Sequence, residues 1–216
     1  MVNLSDVKFP QKLFITGIDT DAGKSFATGW LANEIAKTGK TVITQKFIQT
    51  GNNDMSEDIE VHRRIMGIPF TEEDLNHTTA PIILSYPASP DLAAKIDGVS
   101  IDLSKIEEAS RILSEKYDNV LIEGAGGLMV PIDGEYLTIN YIKDHRLPVV
   151  LVTNGSLGSI SHTLLALYAL AHEGIELFAL LYNSYFDKDK VICEDTKKYL
   201  RAWLSHHFPD TLYLEF

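Results

Sequence analysis

The chain has 216 residues, 45% of them hydrophobic, enough for one sizeable α/β domain with a continuous core. Its formal net charge of −11, from 19 basic and 30 acidic residues, disfavours nonspecific binding to nucleic acid or to an anionic membrane. A single cysteine, Cys193, excludes an internal disulfide framework and suits a reducing compartment.

No apolar run reaches the ~18 residues that a membrane span needs. Met1–Pro10 carries Asp6 and Lys8 in place of a secretory apolar core. The expectation is a cytoplasmic enzyme without nucleic-acid or membrane partners.

In chain order, Lys12–Thr16 reads as a short buried strand, followed by a glycine-rich turn and a helix over Lys24–Lys37 that stops at Gly39. Thr41–Lys46 is the next strand and Glu57–Met66 the next helix. The stretch Asn76–Asp102, with Pro81, Pro87 and Pro90, is the least regular and reads as an ordered, substrate-facing loop region. Leu103–Lys116 is helical, with Ile106, Ala109, Ile112 and Leu113 on one face. Asn119–Ile122, Pro148–Thr153 and Leu177–Tyr182 are further strands, with helices over Ser159–His172, closed by Gly174, and Lys188–His207.

Short apolar strands alternating with helices predict a doubly wound, mostly parallel sheet flanked by helices, in one P-loop NTPase-like α/β domain spanning 1–216. Ligands of such sheets sit at the carboxyl ends of the strands.

The first of those ends carries Gly17-Ile18-Asp19-Thr20-Asp21-Ala22-Gly23-Lys24-Ser25. A glycine-rich turn feeding a helix N-terminus presents backbone N–H groups to phosphate. Asp21, Ala22, Gly23, Lys24, Ser25 and Phe26 are therefore the candidate nucleotide-binding residues. Lys24 would reach the outer phosphates and the Ser25 hydroxyl a magnesium ion. Five residues separate Gly17 from Gly23, one more than in the common phosphate loop, which indicates a subclass of the motif. The chemistry expected is phosphoryl transfer from a nucleoside triphosphate.

Other strand ends supply partners. Ile122-Glu123-Gly124-Ala125-Gly126-Gly127 ends a strand in a carboxylate and then lets the backbone turn close to a ligand, with Gly126 as a substrate-side candidate. Lys46 ends another strand, where it reads equally as a surface residue or as a cation for a transferring phosphoryl group. Asp58 opens a helix, where it compensates the helix dipole or binds metal. Magnesium keeps several waters, so Ser25, Asp58 and Glu123 suffice as its protein ligands. Gly158, Ser159, Ile160 and Ser161 begin a helix that either holds a substrate carboxylate or is simply capped by serine. Asn183 either reads a nucleobase edge or serves as turn chemistry. His206-His207 lacks metal-ligand spacing, so no zinc site is expected. Trp30 and Trp203 are expected to pack against the core, with Cys193 a bystander.

The glycine loop Thr16–Ser25, the run Lys46–Gly51, Pro87-Ala88-Ser89-Pro90, Glu123–Gly127 and Leu157-Gly158-Ser159-Ile160-Ser161-His162 occur here in one order. Together they closely resemble the dethiobiotin synthetase family over roughly residues 12 to 185. The resemblance implies a cytoplasmic homodimer using ATP, Mg2+, carbon dioxide and 7,8-diaminononanoate. It implies catalytic roles for Lys46, Lys24 and Thr20, with Thr20 and Asp21 beside substrate and γ-phosphate and Thr50 against substrate. It implies Ser25, Asp58 and Glu123 as the magnesium set, Asn183 at the adenine, and Gly158–Ser161 receiving the substrate carboxylate across the dimer interface.

The chain departs from the family pattern at Asp21, at Phe47 in place of a proline, at Asp91 in place of a histidine, and beyond Pro209. Two other readings share the loop. One is a partition- or septum-positioning-type ATPase, which carries an extra lysine at the loop's start that is absent between Gly17 and Gly23. The other is a nucleotide-binding regulatory module without chemistry.

Overall fold

The computed structural model describes residues 4–216, so residues 1–3 of the Met1–Pro10 stretch lie outside the described residues. The elements in chain order are β1 (Lys12–Gly17), α1 (Lys24–Lys37), β2 (Val42–Lys46), β3 (Gln49–Thr50), α2 (Glu57–Met66), α3 (Glu72–Leu75), β4 (Ile83–Leu84), α4 (Pro90–Asp97), α5 (Leu103–Lys116), β5 (Asn119–Gly127), β6 (Pro131–Asp133), β7 (Tyr136–Leu137), α6 (Thr138–Asp144), β8 (Val149–Asn154), α7 (Ser159–Glu173), β9 (Leu177–Asn183), α8 (Lys190–His207) and β10 (Leu212–Glu215).

Six strands form one sheet in the order β10-β9-β8-β1-β5-β2, and every pairing in it is parallel. Alternate side chains of a strand face opposite ways, and here both ways are covered. Phe14, Val120, Ile122, Val149, Leu151 and Leu180 pack with Ile106 and Leu113 of α5, Leu167 and Leu170 of α7, and Leu200 and Leu204 of α8. On the opposite face Leu13, Ile15, Leu121, Val150, Val152 and Leu181 meet Ala27, Leu31 and Ile35 of α1. That two-sided burial is why the strands read as continuous apolar runs.

The expected sheet and its five main helices are present, with differences at the edges. β5 does not end at Ile122 but runs to Gly127, because after a register shift its glycines still pair with β1, Gly17 opposite Gly127. The irregular stretch Asn76–Asp102 contains β4, paired with β3, and α4, whose Pro90 stands in the first turn where a missing N–H costs nothing. The last helix begins at Lys190, because Asp189 caps it by accepting from the N–H groups of Val191 and Ile192. β10, not anticipated, adds a sixth parallel strand beside β9. Phe47 is fully buried, its ring centroid 5.4 Å from Phe14 and 4.6 Å from Tyr141, so at this position, where the resemblance led to an expected proline, the chain makes an aromatic core contact.

Candidate active site

The phosphate loop leaves β1 at Gly17 and enters α1 through Gly23, whose φ of +91° lies in the left-handed region that favours glycine. Lys24 folds back over the loop, donating to the carbonyls of Asp19 at 3.0 Å and Thr20 at 2.9 Å. Burial lowers its pKa, and nearby Lys46 adds to this against the opposing charges of Glu123 and Asp58. Ala22 lies under the loop, its carbonyl accepting from Asn183 Nδ2 at 3.1 Å.

Three separate elements converge beside that loop. β2 and β5 are neighbours with Lys46 directly opposite Glu123, while α2 delivers Asp58. Lys46 Nζ lies 2.5 Å from Asp58 Oδ2 and 3.0 Å from Glu123 Oε1. Ser25 Oγ lies 2.6 Å from Asp58 Oδ1 and 3.0 Å from Glu123 Oε1. Burial alone would push the Glu123 carboxyl up, but Lys46 and His62 hold it well below the usual carboxylate range. Burial likewise opposes the charge of Lys46, yet Glu123 and Asp58 hold its pKa above the ordinary lysine value. Lys46 and Glu123 thus each favour the charged form of the other.

His62 was not singled out in the sequence. It is fully buried, with Nε2 2.5 Å from Glu123 Oε2 and Nδ1 3.0 Å from Thr44 Oγ1. The available signal was its spacing: it follows Asp58 by four residues and so shares that residue's face of α2.

A single cleft of about 1300 Å3 runs past these groups. Lys24, Ser25, Lys46, Asp58 and Glu123 all line it, together with Thr20, Asp21, Gly23 and Phe26. One end is aromatic, made by Trp30, Tyr185, Phe186 and Phe216, with Asn183 beside them. Trp30 and Phe216 stack at 5.6 Å, so Trp30 packs on the core and also faces the cleft. Asn183 Oδ1 accepts from the Tyr185 N–H at 3.0 Å, which ties the aromatic loop to the phosphate loop. None of Tyr185, Phe186 and Phe216 was anticipated; isolated aromatics near a chain end carry no periodic signal. The other end of the cleft is formed by Gln49, Thr50, Pro87–Pro90, Gly126 and Val130. Asp91 lies just behind this wall, accepting from the Gly134 N–H at 3.0 Å and from Lys95 at 2.6 Å.

Gly158, Ser159, Ile160 and Ser161 do not line this cleft. They open α7 elsewhere on the chain, where Gly158 and Ile160 border a depression of about 370 Å3 with Val191 and Thr196. Leu157 there is 88% exposed. His206 and His207 are exposed, and among the described residues no cluster of three or more His, Cys, Asp or Glu side chains could hold a metal ion. No helix among the described residues is long and apolar enough to cross a membrane.

Parallel sheet, glycine loop and buried lysine–carboxylate cluster define a P-loop nucleotide-dependent α/β protein. Residues 11–205 match the family model described as an AAA domain. Among solved structures, the chain superimposes on the signal recognition particle receptor FtsY from Elizabethkingia anophelis in complex with GDP, with a TM-score of 0.51 and 16% identity, covering 96% of this chain and 57% of that one. It also superimposes on the kinase domain of Escherichia coli tyrosine kinase ETK, with a TM-score of 0.51 and 14% identity, over 83% and 69% of the two chains. The chain thus spans little more than half of the receptor, and these likenesses concern the fold alone.

Sequence relatives are much nearer. The chain is 50% identical to the ATP-dependent dethiobiotin synthetase BioD 2 of Pasteurella multocida over 93% of this chain and 94% of that one. It is 48% identical to the protein of the same name in Haemophilus ducreyi, over 94% and 96%, and 46% identical to the ATP-dependent dethiobiotin synthetase BioD of Chlorobaculum tepidum, over 91% and 82%. The chain belongs to the ATP-dependent dethiobiotin synthetase family.

Proposed function

We propose that the chain closes the ureido ring of dethiobiotin from 7,8-diaminononanoate and carbon dioxide, converting ATP to ADP and phosphate, in biotin biosynthesis. The observation that carries the reading is the continuity of one cleft from the aromatic end, past Lys24 and Lys46, to the Thr50 and Pro87–Pro90 end. A nucleotide base fits the first region, its phosphates the middle, and an extended diamine the last.

Ser25, Asp58 and Glu123 fit a magnesium ion. Ser25 Oγ approaches a carboxylate oxygen of each acid but has one proton to donate, so a hard oxygen set faces a position where a cation relieves the repulsion. Bound there, magnesium would neutralise charge on the phosphate oxygens.

The chain's own residues account for the remaining work. Lys24 and Lys46, both buried, favour the neutral form of a nearby substrate amine by like-charge repulsion. That amine adds to the carbon of carbon dioxide and loses a proton to solvent, giving a carbamate. A carbamate oxygen attacks the γ-phosphorus and ADP leaves, giving a mixed carbamic–phosphoric anhydride. The second amine attacks the carbamoyl carbon, phosphate leaves, a further proton is lost and the ring closes. Lys24 and Lys46 counter the charge that builds on the transferring group, and Thr20, Thr50 and Gly126 bound the diamine.

The active form in this reading is a cytoplasmic homodimer. The start of α7, Gly158–Ser161, lies outside its own chain's cleft beside exposed Leu157, which suits a contribution to the cleft of a second copy, where the helix N-terminus receives the substrate carboxylate. The test is to incubate the protein with ATP, Mg2+, bicarbonate and the diamine and to seek the cyclic urea by mass spectrometry. Diamine-independent ATP hydrolysis without the urea, or nucleotide binding without turnover, would overturn the reading.

A further inference from the structure

His62 stands one helical turn beyond Asp58 on α2, with no exposed surface. Both of its ring nitrogens are engaged, Nε2 with Glu123 Oε2 at 2.5 Å and Nδ1 with Thr44 Oγ1 at 3.0 Å. An ionised carboxylate only accepts, so Nε2 carries the proton. Thr44 Oγ1 accepts from Arg63 Nη1 at 2.8 Å, so one hydroxyl joins Arg63 to His62. Arg63 is in turn fixed by Asp74, through Nε and Nη2 at 2.8 Å each. A continuous line of buried hydrogen bonds therefore joins Asp74, Arg63, Thr44, His62 and Glu123. The backbone of His62 is packed as well: a Cβ on Gly29 of α1 would lie 3.0 Å from Ile65 Cβ and 3.2 Å from His62 Cα, so the glycine lets α2 sit close against α1.

The two oxygens of Glu123 are thereby given different tasks. Oε2 is occupied by His62, while Oε1 faces Ser25 and Lys46. We propose that His62 is a positioning residue for the cation site, holding Oε2 of Glu123 so that Oε1 alone is presented beside Ser25 and Asp58 as a one-oxygen ligand. The inference rests on reading Ser25, Asp58 and Glu123 as the magnesium set. An apolar side chain at position 62 would leave the buried Oε2 without a donor and the carboxylate free to rotate.

The test titrates Mn2+, read by electron paramagnetic resonance, into complexes of the protein with a non-hydrolysable ATP analogue. Gln at position 62 extends its amide to the place of Nε2, whereas Asn reaches only that of Nδ1. His62→Gln is expected to keep near wild-type Mn2+ affinity, and His62→Asn to lose ~10–100-fold. A purely structural role would lower the melting temperature of both variants without separating their Mn2+ affinities, and that result would overturn the inference. Glu123→Gln is the control. If it loses Mn2+ while His62→Asn binds normally, the positioning role fails and the metal set stands; if it binds Mn2+ normally, the metal set itself fails. Should His62→Asn not fold, Thr44→Val takes its place: it removes the hydroxyl partner of Nδ1, and its Mn2+ affinity is expected to fall in the same direction, with unchanged affinity counting against the role.

Discussion

Lys46 and Glu123 stand directly opposite each other on adjacent parallel strands, β2 and β5, with Nζ 3.0 Å from Oε1. Parallel register places both at the carboxyl edge of the sheet, where the phosphate loop also ends. The ammonium of Lys46 reaches Asp58 as well, so one cation spans the two acids read as metal ligands.

Replacing Lys46 by Ala is therefore expected to act twice. Turnover should fall ~10²–10³-fold through loss of a charge aimed at the transferring phosphoryl group. Stability should fall by about 3–5 kcal/mol, because the buried carboxylate of Glu123 loses its cation. Single-turnover assays and urea titrations read the two effects separately. Turnover close to wild type would remove Lys46 from the chemistry.

Glu123→Gln removes a charged oxygen donor from the cation site while nearly conserving shape. The Mg2+ concentration for half-maximal activity should rise by at least tenfold, on the order seen when metal-site groups are altered. An unchanged Mg2+ titration would exclude Glu123 as a ligand.

Acid stability should report the same carboxyl. Its pKa is depressed in the folded chain, so the folded state binds this proton less readily than the unfolded one. The stabilisation is complete above the unfolded value of about 4.3 and is lost as the pH falls below it towards the depressed folded value. In urea titrations at stepped pH, Glu123→Gln should show a shallower loss of stability below about pH 4.3 than wild type. Identical slopes would show that Glu123 is not ionised in the fold.

Gly23→Ala should damage nucleotide binding more than folding. The φ of +91° strains any L side chain, at a cost of about 1–2 kcal/mol, and the added Cβ would collide with Asn183 Nδ2. Calorimetric titration with ATP should show affinity at least tenfold weaker than wild type, since backbone N–H placement in the loop is the binding determinant.

The aromatic end of the cleft offers a direct optical readout. With Trp203→Phe as background, Trp30 emission should change on adding ATP, because Trp30 and Phe216 line the same end. Phe216→Ala should weaken ATP by about 0.5–1.5 kcal/mol through lost stacking. Emission insensitive to ATP would place the base elsewhere.

Local pattern was enough to read the strand–loop–helix unit around Lys24 and the alternation of buried strands with helices, because periodicity and glycine placement are properties of neighbouring residues. It also marked Ser25, Lys46, Asp58 and Glu123, since each stands at a strand end or a helix start where a parallel sheet gathers its ligands. What it left open was meeting: Lys46 and Glu123 lie 77 positions apart and touch through strand register, which no local signal encodes. His62 looked like an ordinary helix residue until α2 packed against α1 and turned it onto Glu123. Phe216 reached Trp30 only because β10 pairs with β9, and only the folded chain shows that the ends of β9 and β10 line the cleft while the start of α7 does not. Chemistry-bearing residue types are written along the chain, whereas the distances at which they act arise from pairings between strands and helices far apart in it.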